Sequence, residues 1–151
     1  MSRELSSVCC QRNPDPKKQS SAIERLVRAG ADIHETDKNG VTPLHHAVRF
    51  RSPTAVATLL RLGAAVNQTC KRSGSTPLHR AVTWSGAPAT AGKGDAARRI
   101  VEILLRYGAD PSIKNKAGKT PANYVRDPEL RRRLETRLTS SRPGGSAASA
   151  R

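Results

Sequence analysis

Between residues 42 and 63 the apolar positions fall into two short groups, and each group follows a helix-start signal. Leu44, Ala47 and Val48 share one face of a short helix. Thr42 stands at its cap and Pro43 at its first position, where a missing N–H costs nothing. Ser52-Pro53 repeats the device, and Val56, Leu59 and Leu60 then form a second apolar stripe. Gly63 ends that helix, because a left-handed C-terminal residue is easiest for glycine. Asp127-Pro128 predicts a third start, for a polar helix Pro128–Leu138, and Asp95 is read as the cap of a helix Ala96–Tyr107. The N-terminal stretch is less regular. It predicts a helix near Glu4–Cys10, a break at Asn13-Pro14-Asp15-Pro16, and a helix Ser21–Ala29.

These elements recur. Thr42-Pro43-Leu44-His45-His46-Ala47-Val48 returns as Thr76-Pro77-Leu78-His79-Arg80-Ala81-Val82, with a weaker echo at Thr120-Pro121-Ala122-Asn123-Tyr124-Val125. A second string runs Leu26-Val27-Arg28-Ala29-Gly30-Ala31-Asp32. It returns as Leu59-Leu60-Arg61-Leu62-Gly63-Ala64-Ala65 and Leu104-Leu105-Arg106-Tyr107-Gly108-Ala109-Asp110. From each Gly-Ala string to the next Thr-Pro the spacing is 12, 13 and 12 positions, whereas Thr42 to Gly63 is 21 and Thr76 to Gly108 is 32. The second of these Thr-to-Gly stretches therefore carries 11 inserted residues.

Thr-Pro-Leu-His-x-Ala followed about twenty residues later by Leu-Leu-x-x-Gly-Ala-Asp resembles the ankyrin repeat. The resemblance covers roughly residues 20–138 and implies an all-α solenoid of about four helix-turn-helix units. The units fall at about 1–31, 32–64, 65–109 and 110–138, with the insertion at about 85–94. Atypical end units fit a role as caps, since a stack must present a soluble face at each end. The Ser/Gly/Ala-rich segment 139–151 is expected to be a disordered tail.

Composition then narrows the function. The 151 residues suit one domain, and they are 36% hydrophobic but only 3% aromatic, which favours closely packed short helices. There are 27 Lys+Arg against 12 Asp+Glu, a formal charge of +15. Residues 21–125 hold 16 basic and 7 acidic groups, so most of the excess lies on the repeats. Such a surface points to an anionic partner. Three cysteines, two of them adjacent, make a poor disulfide framework, and no run reaches signal-peptide or membrane-span length. The expectation is an intracellular protein, cytoplasmic or nuclear, that stays off membranes and is monomeric.

Candidate chemistry is sparse. His45 and His79 lie one repeat apart, without the close ligand pairs that zinc requires. The resemblance instead implies a structural histidine that bonds to the neighbouring connector. Gly86…Gly92-Lys93 has one residue too many for a phosphate-binding loop, follows a helix and is succeeded by glycine. Cys9 and Cys10 have no convincing base nearby in sequence. Neither an enzyme nor a cofactor or metal is expected.

The resemblance places the contact face on the connector tips and on the exposed side of the first helix of each unit. Carried over by position, the partner-binding candidates are Lys38 and Asn39, then Lys71, Arg72 and Ser73, then Lys116 and Lys119 at the tips. From the helix ends come Arg49 with Phe50 and Thr83 with Trp84. Phe50 and Trp84 are the sole Phe and Trp of the chain, and matching positions suggest an aromatic pair beside a basic ridge. His46, Arg80 and Tyr124 are also equivalent to one another, and the family has an apolar residue there. They either line the groove between units or weaken the stack. The implied function is a non-catalytic adaptor that binds an acidic protein or peptide on its concave face. The alternative is nucleic-acid or polyanion binding, resting on the basic repeats and Arg131-Arg132-Arg133. Against it, four aromatic residues offer no stacking platform.

Overall fold

The computed structural model describes residues 3–11, 14–83 and 94–141. Regular structure among them is helical, in four successive pairs. These are α1 (Arg3–Cys9) with α2 (Pro16–Arg28), α3 (Pro43–Arg49) with α4 (Pro53–Arg61), and α5 (Pro77–Val82) with α6 (Gly94–Arg106). The 3-10 turn Pro121–Tyr124 with α7 (Pro128–Ser141) makes the fourth. The first members pack in a row, α1 on α3, α3 on α5 and α5 on the turn, while α2, α4 and α6 form a second row behind them. The core lies between the rows. Leu44, Ala47, Val48, Leu59, Leu78, Val82, Ile100 and Leu104 are all buried in one cluster.

The helix starts follow the sequence signals closely. The Thr42 hydroxyl accepts from the His45 amide at 3.3 Å, and the Ser52 hydroxyl accepts from the Ala55 amide at 3.2 Å. The expected start of α2 at Ser21 needs correction. Asp15-Pro16 is itself a start, with the Asp15 carboxylate accepting from the Lys18 amide at 3.0 Å, so the helix begins at Pro16. Asp95 is likewise not a cap but lies inside the first turn of α6, where a carboxylate faces the positive helix end. In the last pair α7 runs past Leu138 to Ser141, three residues into the segment expected to be a tail. Residues 142–151, and residues 85–93 of the insertion, lie outside the described residues.

Polar contacts stitch the second row together. Arg61 pairs with Glu24, Arg98 with Asp127 at 3.0 Å, and Arg133 with Glu102 at 3.2 Å. A buried knot joins the first two pairs: Gln19 donates to the Val8 carbonyl at 3.0 Å and accepts from the Ser52 hydroxyl at 2.6 Å.

Candidate partner-binding surface

The connectors between pairs end in three similar turns. In the first, Asp37 donates its amide to the Val41 carbonyl (3.1 Å) and accepts from the Gly40 amide (2.8 Å). Asn115 does the same with Lys119 and Gly118, at 2.9 Å each. Cys70 is the counterpart in the middle turn, bonded to Ser75 (3.0 Å) and Gly74 (2.8 Å). That turn is one residue longer, which accounts for the spacing of 13 in place of 12.

The turns stack edge to edge. The Lys71 amide donates to the Asn39 carbonyl at 3.0 Å, and the Lys116 amide donates to the Ser73 carbonyl at 2.9 Å. The Lys116 ammonium also donates to the Lys71 carbonyl. Glycine makes this approach feasible. Gly40 has φ +72°, and a Cβ there would come within 2.6 Å of the Lys71 backbone nitrogen. These glycines were not singled out from sequence, although one stands two residues before each Thr-Pro and marks the position.

His45 and His79 fasten the second and third turns to the first-row helix of the preceding pair. Nδ1 of His45 accepts from the Thr42 amide (3.3 Å) and the Thr42 hydroxyl (2.8 Å), so Nε2 carries the proton and donates to the Ser75 carbonyl at 3.1 Å. His79 repeats this with Thr76 (3.1 and 2.8 Å) and the Lys119 carbonyl (2.9 Å). Both nitrogens of each ring are thus engaged in the fold. Burial pushes the His45 pKa down to about 4 and lowers that of His79. Asn123 keeps the capping half of the arrangement, its side-chain oxygen accepting from the Thr120 amide at 2.8 Å.

The predicted contact residues divide by what their atoms do. Lys38, Lys71, Arg72, Lys116 and Lys119 have exposed side chains along the turns. Asn39, Ser73 and Lys119 also lend their carbonyls to the stack. Arg49 and Thr83 are exposed at the ends of α3 and α5, and Phe50 is half-buried at the end of α3. Trp84 lies outside the described residues, so the aromatic pair does not enter the surface described here.

A cleft of about 460 Å³ opens between the third and fourth pairs. Ser73, Asn115 and Lys116 line it from the turns, and Arg80, Thr83 and Tyr124 from the first row. His46, Arg80 and Tyr124 each reach back to their own turn. His46 faces Asp37 at 3.6 Å, Arg80 donates to the Cys70 sulfur at 3.8 Å, and the Tyr124 hydroxyl accepts from Asn115 at 2.8 Å. The Nε of Arg80 is buried without a hydrogen-bond partner. Arg80 and Tyr124 thus line the groove between units.

The thiols differ by surroundings. Burial, with the neighbouring Cys10 thiol, pushes Cys9 up to about 12, which leaves it a poor nucleophile. Burial acts to raise Cys70 too, but hydrogen bonds from Ser73 and Arg80 outweigh it and bring that thiol to about 7. All three cysteines are free.

A family model for ankyrin repeats in three copies matches residues 8–115. The chain belongs to the ankyrin repeat family. Ankyrin repeat and SOCS box protein 11 of Danio rerio is 33% identical over 122 residues, 81% of this chain and 37% of that protein. NF-kappa-B inhibitor delta of Mus musculus is 32% identical over 148 residues, 91% of this chain and 42% of that protein. Among solved structures, the ankyrin repeat domain of Bcl-3, a member of the IkappaB family, superposes with a TM-score of 0.62 at 34% identity. It covers 78% of this chain and 45% of the Bcl-3 chain. The ankyrin chain thus spans less than half the length of each of these relatives. The ankyrin repeat fold is generally a non-catalytic module for protein interaction. No helix among the described residues is long and apolar enough to cross a membrane.

Proposed function

We propose that this ankyrin stack is an adaptor that binds an acidic protein or peptide along its concave face, formed by the connector turns and the exposed side of the first-row helices. The observation that carries the reading is the basic ridge. Lys38, Lys71, Arg72 and Lys116 are exposed on turns that backbone hydrogen bonds hold in register. A ridge fixed in this way is preorganised, so an anionic partner docks with little ordering cost. The relatives support a protein-directed role, since one is named as an inhibitor of another protein. The free thiols support residence in the cytoplasm or nucleus, and we read the stack as a monomer without cofactor.

Polyanion binding is the weaker reading. Two of the three consecutive arginines behind it are engaged within the fold, Arg131 with the Val125 carbonyl at 2.5 Å and Arg133 with Glu102. The test reverses charge at Lys38, Lys71 and Arg72 together. Lys116 is left in place because its ammonium also ties two turns. The triple Glu variant is expected to keep its helical circular-dichroism spectrum and lose the partner. Retained binding would move the site off this face.

A further inference from the structure

Arg80 stands where the preceding unit has His46, yet its surroundings differ in one respect. His46 faces a carboxylate of its own turn, Asp37, at 3.6 Å. The turn position equivalent to Asp37 in the third unit is Cys70, so Arg80 meets a cysteine sulfur at 3.8 Å instead of a carboxylate. Its Nε is buried and has no partner. A buried guanidinium N–H left unpaired is costly, and a carboxylate is the group that matches its fork. Among the described residues, the walls of the adjoining cleft hold no carboxylate, while Lys116 adds a second positive charge and Ser73, Thr83, Asn115 and Tyr124 add polar groups. Asp37 lies within electrostatic reach of Arg80, but its Oδ1 already accepts from the Asn39 and Val41 amides and its Oδ2 faces His46.

We infer that this cleft between the third and fourth units is the anchor for one acidic side chain of the partner, an Asp or Glu whose carboxylate pairs with Arg80. The inference rests on the concave-face reading and deepens it, since the exposed ridge attracts an acidic partner and the cleft fixes its register. Charge-assisted bonds to a preorganised, partly buried arginine outweigh those to the exposed turn lysines. The guanidinium, with no internal carboxylate bonded to it and its Nε unpaired, is thereby a binding device that lowers the stability of the free stack.

The experiment titrates isotope-labelled full-length protein with octaglutamate, and with octaglutamine as control, following the Nε–Hε resonance of Arg80 by NMR. The Arg80 signal is expected to move with octaglutamate alone. Arg80→Leu restores the apolar character that the family has here, so it should fold at least as well as the parent in thermal melts and weaken octaglutamate binding by about tenfold. Cys70→Asp supplies the internal carboxylate that His46 has, and should silence the Arg80 response while the turn amides still shift. If the turn amides shift but Arg80 does not, and Arg80→Leu binds as tightly as the parent, the anchor is overturned while the acidic-partner reading stands. If neither the turns nor Arg80 respond, both fall.

Discussion

His45 Nε2 and the Ser75 carbonyl oxygen lie 3.1 Å apart across thirty residues of sequence, tying the helix of one unit to the turn of the next. The bond needs a neutral ring, because Nδ1 must remain an acceptor for Thr42. Burial depresses the pKa, the Ser75 carbonyl and Asp37 oppose that, and Arg80 and His46 add to it. The unfolded chain therefore takes up a proton near pH 6.5 that the folded chain refuses until about pH 4. Stability is fully present above the unfolded value and declines as pH falls. Between pH of about 6.5 and about 5, above the carboxylate range, His45 alone is expected to remove on the order of 2 kcal/mol. His79 shifts in the same direction and adds to the loss. Urea midpoints at these two pH values check this, and an unchanged midpoint would contradict it.

Leu78 is fully buried in the cluster between the rows. Leu78→Ala should cost about 2–5 kcal/mol, the range for a core leucine whose cavity closes only in part. Chemical denaturation gives the value, and a loss below about 1 kcal/mol would place Leu78 outside the continuous core.

Gly40 is constrained twice, by its positive φ and by the Lys71 backbone. Gly40→Ala should destabilise the stack by about 1–3 kcal/mol and selectively lower hydrogen-exchange protection of the Lys71 amide. Equal protection in the two proteins would show that the turns do not depend on this approach.

Gln19→Ala removes partners from the part-buried carbonyl of Val8 and from the buried hydroxyl of Ser52. The expected cost is about 1–3 kcal/mol in thermal or urea unfolding. Gln19→Leu should not recover it, because the lost bonds are polar.

The stack was legible because its signals are local. Thr42-Pro43, Ser52-Pro53 and Thr76-Pro77 announce helix starts within two residues, and the apolar stripes after them have helical spacing. The connector role of His45 and His79 was also legible, through the family resemblance. Asp15-Pro16 carried the same start signal, but beside Asn13-Pro14 it reads equally as a break. The knot at Gln19 was not legible, since it joins Val8 and Ser52 through packing of three helices. Nor was the situation of Arg80. It depends on Cys70 taking the place of Asp37 in a turn of different length, which becomes visible only when the hydrogen bonds of the turns are aligned. Among the candidate residues, sequence located the exposed cations but not the separate structural use of the carbonyls of Asn39, Ser73 and Lys119.

On the proposed function, the basic ridge selects a protein. The direct measurement is affinity capture from source-cell lysate, treated with nuclease and washed at low and moderate salt. The parent ankyrin stack is compared with the Lys38, Lys71 and Arg72 triple Glu variant. A discrete protein that survives nuclease and moderate salt is expected with the parent and not with the variant. Recovery of nucleic acid alone, lost as salt rises through counterion competition, would contradict it, as would a protein held equally by both stacks.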